Sequence, residues 1–173
     1  PECPAKAIKG FTLFVSRDAM NIDGLSEATL EKFIGKGFIH EFGDIFEIGK
    51  YKDEIVQMEG FGEKSFRNLM ESIEKAKNTE LPRVIYALGI PNIGLANAKV
   101  ICREFGYDIE KIRNLTEEEL AEVDGIGPVI ARSFVEYFAK AGRKEVIDHL
   151  LSHLQLKAVP QVNENQKFTG INF

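Results

Sequence analysis

The chain contains no Trp, only two cysteines and no apolar run of membrane-spanning length in its 173 residues. Cys3 and Cys102 cannot build a disulfide framework, which favours a reducing compartment such as the cytoplasm. Without about 18 consecutive apolar residues, neither a membrane span nor a membrane partner is predicted. The net charge of −5 argues against a polycation that coats nucleic acid, and the 44% hydrophobic content is typical of a globular domain.

Four short glycine-containing segments recur at nearly constant spacing. The pattern apolar, any residue, Gly, apolar, Gly occurs as MEGFG at residues 58–62 and as VDGIG at residues 123–127. In IPNIG, residues 90–94, Asn92 replaces the first glycine, and in IDGLS, residues 22–26, Ser26 replaces the second. From residue 26 to 62, 62 to 94 and 94 to 127 the steps are 36, 32 and 33 residues. This period indicates a repeated helix-hairpin-helix unit.

An amphipathic helix is predicted after each copy. Positions +4, +7 and +8, counted from the last residue of a copy, lie on one stripe of a helix. They are apolar in all four copies: Leu30, Phe33, Ile34; Phe66, Leu69, Met70; Ala98, Ile101, Cys102; Ala131, Phe134, Val135. Ahead of the last copy, Thr116 and Glu119 have the spacing of a capping box. The predicted fold is all-α, with four tandem helix-hairpin-helix motifs packed as two pseudo-symmetric pairs.

The glycines predict binding of phosphate by the backbone of these turns. A tight turn between helices needs a residue that tolerates positive φ, as glycine and asparagine do. The next helix then begins with free N–H groups at the positive end of its dipole, which is an anion site. The alternative is a purely structural glycine cap, and for a single copy the two are evenly balanced. Four phased copies favour the phosphate site.

The candidate interface consists of turn residues and of polar side chains beside them. Position +5 is a cation in three copies, Arg67, Lys99 and Arg132, whereas Glu31 occupies it in the first. No aromatic and basic stripe suggests base stacking, so we expect contacts with the backbone of duplex DNA without sequence preference. Because Ser26 and Asn92 add bulk, the second and fourth turns are the favoured phosphate sites. The other predicted contact residues are Gly24, Gly60, Phe61, Gly62, Lys64, Gly94, Gly125, Ile126, Gly127 and Ser133, together with Asn92.

The order of these segments resembles the helix-hairpin-helix domain of bacterial NAD-dependent DNA ligases. The matching segments are RDAMNIDGLSEATLEKFI, MEGFGEKSFRNLMESIEKAK, ALGIPNIGLANAKVI and EVDGIGPVIARSF. In that family the domain follows a four-cysteine zinc finger and precedes a BRCT domain. The resemblance therefore implies that Cys3 is the last zinc ligand of such a finger, and that QKFTGINF at residues 166–173 starts a truncated BRCT domain.

The family also implies a function. Such ligases seal nicks in duplex DNA during replication and repair by adenylating a lysine from NAD and passing AMP to the 5′-phosphate. That lysine lies in a Lys-x-Asp-Gly motif, which this chain lacks. The implied role is to grip nicked duplex DNA, alongside other domains of the same bacterial cytoplasmic ligase. No catalytic residue, cofactor or ligase activity is expected here, whereas the parent enzyme would use NAD, Mg and Zn.

The sequence offers little for a metal site. His149 and His153 are four residues apart on a predicted helix, from about Arg143 to Leu154, and this spacing can hold a metal. No Cys or carboxylate partner is apparent nearby, and Cys102 falls on a buried stripe. No zinc is therefore predicted in this chain alone.

The expected boundaries follow the repeats and the resemblance. Residues 1–10 are predicted as a zinc-finger remnant and lead-in, residues 11–152 as the helix-hairpin-helix domain, and residues 153–173 as a linker with the start of a BRCT domain. KNTELP, residues 77–82, is the expected joint between the two pairs of hairpins. Because the chain begins at Pro1, we expect it to be part of a longer protein.

Two alternatives from other classes stay open. One is the helix-hairpin-helix part of another DNA-repair enzyme, such as a glycosylase or a nuclease subunit. The other is a protein-interaction scaffold that has lost phosphate binding, which the negative net charge favours somewhat.

Overall fold

Short helices joined by tight turns account for most of the chain that the structure describes. The computed structural model describes residues 4–157, with side chains from residue 7 onward. Its elements are α1 (Pro4–Val15), α2 (Glu27–Gly35), a 3-10 helix (Phe42–Tyr51), α3 (Lys52–Ile55), α4 (Glu63–Ala76), β1 (Asn78–Thr79), α5 (Leu81–Ala87), α6 (Leu95–Glu104), α7 (Ile109–Ile112), α8 (Glu117–Ala121), α9 (Pro128–Ala139), α10 (Arg143–Ser152) and β2 (Gln155–Leu156). The all-α prediction is confirmed. Between residues 4 and 157 no helix has the length and apolar character needed to cross a bilayer.

The predicted apolar stripes form the core. All eight residues at positions +4 and +7 of the helices α2, α4, α6 and α9 are buried. Position +8 is half-buried in three of these helices, and only Cys102 is fully enclosed there. The capping box also forms, since the Thr116 hydroxyl accepts from the Glu119 N–H at 3.1 Å and the Glu119 carboxylate accepts from the Thr116 N–H at 3.0 Å. Helix phase was therefore predicted correctly from the spacing of apolar residues.

The hairpins pack as two pairs with the same internal relation. In the first pair, the turn at Gly24 lies against Leu69 of α4, so closely that a Cβ on Gly24 would be 3.4 Å from Leu69 Cδ1. In the second pair, Asn92 occupies the place of Gly24, and its side-chain amide donates to Ser133 Oγ of α9 at 3.0 Å. In both pairs the turn of the earlier hairpin thus rests on the second helix of the later one.

The joint between the pairs contains a small feature that the sequence analysis did not predict. Strand β1 pairs in parallel with β2, and the bond from Gln155 N–H to Lys77 O is 2.7 Å long. The first residues of the predicted linker, 153–173, therefore pack onto the KNTELP joint. Residues 158–173 and Cys3 lie outside the described residues, so the BRCT and zinc-finger assignments stay predictions.

Helix α1 begins earlier than the predicted boundary at residue 11. It starts at Pro4, and buried Ile8 and Phe11 are one turn apart on its inner face. The apolar spacing of Ile8 and Phe11 continues the helix across that boundary, and the division of the chain into domains stays a prediction. Residues 4–10 are therefore helical.

Helix α10 is tied to both halves of the chain. The Arg113 guanidinium, with 6% of its side chain exposed, lies 2.5 Å from an Asp148 carboxylate oxygen. The hydrogen bonds that Asp148 accepts from Arg113 and from Lys144 lower its pKa. On the other side, the Glu47 carboxylate of the 3-10 helix accepts from His149 and His153, and these bonds lower the pKa of Glu47 to about 2. The bond to Glu47, helped by Glu41, raises the pKa of His149 although burial opposes it.

A second tie joins the beginning of the chain to α5. Arg83 Nε donates to the backbone oxygen of Ala19 at 3.0 Å, and Arg83 Nη2 donates to that of Arg17 at 2.5 Å. Ala19 is buried, so its carbonyl has little access to water. One side chain thus satisfies two carbonyls of the segment that leads into the first hairpin.

Replacing Arg83 tests this tie. Arg83→Met keeps the apolar stem but removes both donors, so we expect the free energy of unfolding to fall by about 1–3 kcal/mol. Urea unfolding followed by circular dichroism measures the change. Arg103→Met, at an exposed position of α6, is the matched control and should shift stability by less than about 0.5 kcal/mol. Equal midpoints for both variants would contradict the assignment.

Candidate nucleic-acid interface

Each of the four turns contains one residue in the left-handed region at the same place. The φ angles are 96° at Gly24, 85° at Gly60, 69° at Asn92 and 90° at Gly125. Asn92 is tolerated because asparagine is among the few residues with a side chain that adopt this conformation. The first glycine of the pattern is therefore needed by the turn itself, as the sequence predicted.

Three of the turns close with the same hydrogen bond. The N–H groups of Phe61, Ile93 and Ile126 donate to the carbonyls three residues earlier at 3.0, 3.1 and 3.0 Å. The first turn has a contact at another position, since Asp23 N–H donates to Ser72 Oγ of α4 at 2.7 Å. The first hairpin is thus bound to α4 through its turn, as the third is bound to α9 through Asn92.

Two residues predicted to touch DNA face inward. The Ile126 side chain is 3% exposed and its N–H closes the turn, so neither group is available to a ligand. The Phe61 ring is half-buried, with its centroid 6.0 Å from that of Phe33. The assignment of the Ile126 side chain to the interface was therefore wrong, because the apolar residue between the two glycines anchors the turn to the core. The assignment of Phe61 stays a prediction.

The last residue of each turn is the N-cap of the following helix. Gly62, Gly94 and Gly127 have no side chain to accept from the first turns of α4, α6 and α9. Within residues 4–157 the N–H groups at the start of these three helices have no partner of their own, which is the condition for binding an anion. In α9 the first residue, Pro128, has no N–H, so its open donors begin at Val129. In α2, by contrast, Ser26 Oγ accepts from Thr29 N–H at 3.2 Å.

Nothing inside the protein requires glycine at these three caps. The φ angles of Gly62, Gly94 and Gly127 are −169°, −94° and −84°, which any residue adopts. A Cβ built on any of the three meets no atom within 4 Å. The bare backbone therefore faces open space, where a side chain would obstruct a ligand and not the fold.

Charge distinguishes the three open caps. The first turns of α6 and α9 contain no acidic residue, whereas that of α4 contains Glu63. Glu63 is paired with Lys52 at 3.8 Å, and its carboxylate partly offsets the positive end of the helix dipole. The third and fourth hairpins therefore offer the better anion sites by charge, which differs from the predicted preference for the second and fourth.

The polar side chains predicted for the interface surround these caps unevenly. Lys64, Arg67, Lys99 and Arg132 are exposed, and Arg132 Nε lies 4.0 Å from a Glu117 oxygen. Asn92 and Ser133 are bonded to each other, so their polar groups are already engaged. Among the described residues, Lys64, Arg67 and Lys99 are exposed without an ion-pair partner, whereas Arg132 would have to leave Glu117 to meet a phosphate.

Sequence analysis missed one exposed residue beside the fourth cap. Among residues 7–157, Val129 is the large apolar side chain that stands out in solvent, with 68% of its surface exposed. It follows Gly127 by two residues, at the tip of α9. Position +2 lies off the buried stripe, so the search for core residues passed over it. An apolar residue off that stripe is nevertheless a signal of an exposed contact surface.

Cys102 is not a ligand candidate in this arrangement. It is fully buried on α6, and burial raises the pKa of its thiol to about 12. The thiolate needed for metal binding is therefore disfavoured, in agreement with its prediction as a core residue.

Alanine at the two glycines of the fourth turn should have different costs. Gly125→Ala forces a Cβ into the left-handed region, so we expect a loss of about 1–2 kcal/mol in unfolding free energy. Gly127→Ala introduces neither backbone strain nor a clash. Because alanine is a weaker N-cap than glycine, we expect the unfolding free energy to fall by up to about 1 kcal/mol. Parallel urea titrations of the two variants measure the difference; equal losses would mean that both glycines serve the fold alone.

Comparison with known proteins agrees with this architecture. Residues 83–147, which include the third and fourth hairpins, match the family model described as a helix-hairpin-helix motif. The chain is 55% identical over its full length to a DNA ligase of Lachnoclostridium phytofermentans and 52% identical over 99% of its length to a DNA ligase of Ruminiclostridium cellulolyticum. It is 37% identical over its full length to a DNA ligase of Thermosipho africanus.

The match covers one part of each relative. The chain spans 26% of the length of these three curated ligases. The similarity extends beyond the residues matched by the motif model, and it includes the first two hairpins. The chain is a helix-hairpin-helix domain, related along its whole length to one segment of the bacterial DNA ligases.

Proposed function

We propose that this chain binds duplex DNA without sequence preference, as a domain of an NAD-dependent DNA ligase that grips the sugar-phosphate backbone around a nick. The observation that carries the proposal is the set of uncapped helix starts at Gly62, Gly94 and Gly127. Their amides are donors suited to phosphate, and glycine there is not required by the fold. The similarity to DNA ligases supports duplex DNA as the source of that phosphate.

The third and fourth hairpins make the principal contacts in this proposal. Their helix starts lack acidic residues, and the cations Lys99 and Arg132 lie one turn further along. The second hairpin contributes Gly60, Gly62, Lys64 and Arg67, weakened by Glu63. The first hairpin, capped by Ser26 and packed through Gly24, chiefly completes the fold.

Val129 adds an apolar contact at the tip of α9. A phosphate held by the α9 amides would bring a deoxyribose close to this exposed side chain. Burying it against the sugar removes apolar surface from water at no cost to the free protein. Such a contact distinguishes no base, in keeping with binding that lacks sequence preference.

The remaining steps of ligation belong to other parts of the parent enzyme. We propose that the parent uses NAD and Mg for adenylation and joining, that Cys3 serves a zinc finger, and that nicked DNA is enclosed together with the other domains. Lacking a Lys-x-Asp-Gly motif, the chain would not ligate alone. The parent would act in replication and repair in the bacterial cytoplasm.

The rival is a protein-interaction scaffold, which the net charge of −5 favours. Duplex binding at several salt concentrations separates the two. Contacts with three phosphates predict that log K falls with log salt at a slope of about −3. Arg132→Gln should reduce the size of that slope by about 1. Lys36→Gln should leave it unchanged, because Lys36 follows the last residue of α2, at the opposite end from the Ser26 N-cap. A flat response to salt would favour the scaffold.

Replacing the N-cap glycines of α6 and α9 by alanine tests whether their helix starts bind phosphate. In the double variant Gly94→Ala with Gly127→Ala, a methyl group should hold the phosphate away from the amides and weaken duplex binding about tenfold or more. Fluorescence anisotropy with labelled nicked duplex measures this.

A matched control adds the same two methyl groups elsewhere. Gly10→Ala with Gly35→Ala changes glycines that also have open space around them but lie outside the turns. We expect its affinity to equal that of the unchanged chain. If the cap variant also binds normally while remaining folded, phosphate is not held at these amides.

A further inference from the structure

Two histidines and a glutamate from distant parts of the chain meet at one point. His149 and His153 are four residues apart at the end of α10, and Glu47 projects from the 3-10 helix. Glu47 Oε2 lies 2.7 Å from His149 Nε2 and 2.8 Å from His153 Nε2. One ligand atom from each of the three side chains lies within 4.8 Å of the other two.

The fold keeps space for this cluster. Gly43, one turn before Glu47, is buried against the His149 ring, and a Cβ there would lie only 2.5 Å from His149 Nδ1. Any side chain at residue 43 would therefore displace the imidazole. Its φ is not in the left-handed region, so the ring and not the backbone conformation explains the glycine.

We propose that Glu47, His149 and His153 form a binding site for one Zn²⁺ ion. Imidazole nitrogens and a carboxylate oxygen are ligands that zinc prefers, and two histidines with one glutamate are an established set of three protein ligands. Tetrahedral bonds of about 2.0–2.2 Å place neighbouring ligand atoms about 3.3 Å apart. The two distances from Glu47 Oε2 to the imidazole nitrogens, 2.7 and 2.8 Å, would each have to lengthen by about 0.5 Å. The two histidine nitrogens, within 4.8 Å of each other, would have to adopt the same spacing.

The surrounding contacts match those of a zinc-bound histidine. Glu41 Oε2 lies 2.7 Å from His149 Nδ1, on the side of the ring away from Glu47. A carboxylate that accepts from the distal ring nitrogen fixes the imidazole orientation and strengthens it as a ligand. Glu41 is therefore the positioning residue of the site, and Glu47 is the ligand.

Binding exchanges protons for the metal at the two coordinating nitrogens. If an Nε2 atom is protonated, its proton passes to solvent and its lone pair then bonds to the ion. The proton on His149 Nδ1 stays on that nitrogen, donated to Glu41. The fourth position faces solvent and would take water, since each of the three side chains is between 23% and 30% exposed. The ion would join α10 to the 3-10 helix across about 100 residues of sequence.

The test is a Zn²⁺ titration of the complete 173-residue chain after removal of metal by a chelator. Proton–nitrogen NMR of the histidine rings should show Nε2 of His149 and of His153 shifting together at one ion per chain, with His40 unchanged. Zn²⁺ should also raise the Tm of the chain, because the ion binds only the folded state. If the Nε2 signals of His149 and His153 do not shift with Zn²⁺, the three side chains are joined only by hydrogen bonds, and the proposal is wrong.

Variants separate this site from other zinc ligands. Calorimetry should show a loss of affinity of at least about tenfold in Glu47→Gln and His153→Gln, and a smaller loss with one ion still bound in Glu41→Gln. His40→Gln and Cys3→Ser are the controls and should bind as the unchanged chain does. If Cys3→Ser alone abolishes binding, zinc is held elsewhere and the assignment is wrong. The NMR titration decides the question even where a variant fails to fold.

Discussion

The left-handed residue in each turn is the constraint on which the hairpins depend. With φ between 69° and 96°, it reverses the chain within a few residues and sets the direction of the next helix. The buried residues at +4 and +7 then face the core, and the helix start faces outward. A different conformation at this residue would rotate the apolar stripe away from the core. The fold and the exposed amides thus share one cause.

The two glycines of the pattern serve different needs. Gly125 satisfies the backbone, and Gly127 has a conformation open to any residue. In the first hairpin, where the turn is packed on α4, Ser26 takes the second position and caps its own helix. Where a helix start is not used by a ligand, a capping side chain improves stability. The absence of such a cap in the other three hairpins supports a binding role for them.

Local pattern predicted the repeats, the stripes and the Thr116 capping box, because each depends on residues within about two turns of a helix. Pattern did not separate Ile126 from the interface, since a motif specifies an apolar residue without saying which way it faces. The partner of His149 and His153 was missed for another reason: Glu47 is about 100 residues away in sequence, and only packing of α10 on the 3-10 helix brings it close.

An acidic domain can bind a polyanion when attraction is local. At physiological salt, charges more than about 8 Å away are largely screened, so the net charge of −5 has little effect on a phosphate already at a cap. A phosphate there would meet unpaired amides, the positive end of a helix dipole and one cation about one turn further along the helix. Net charge instead reduces long-range steering, and with it the rate of encounter. An isolated domain of this kind should therefore associate slowly, and other domains of a longer chain would raise its effective concentration near DNA.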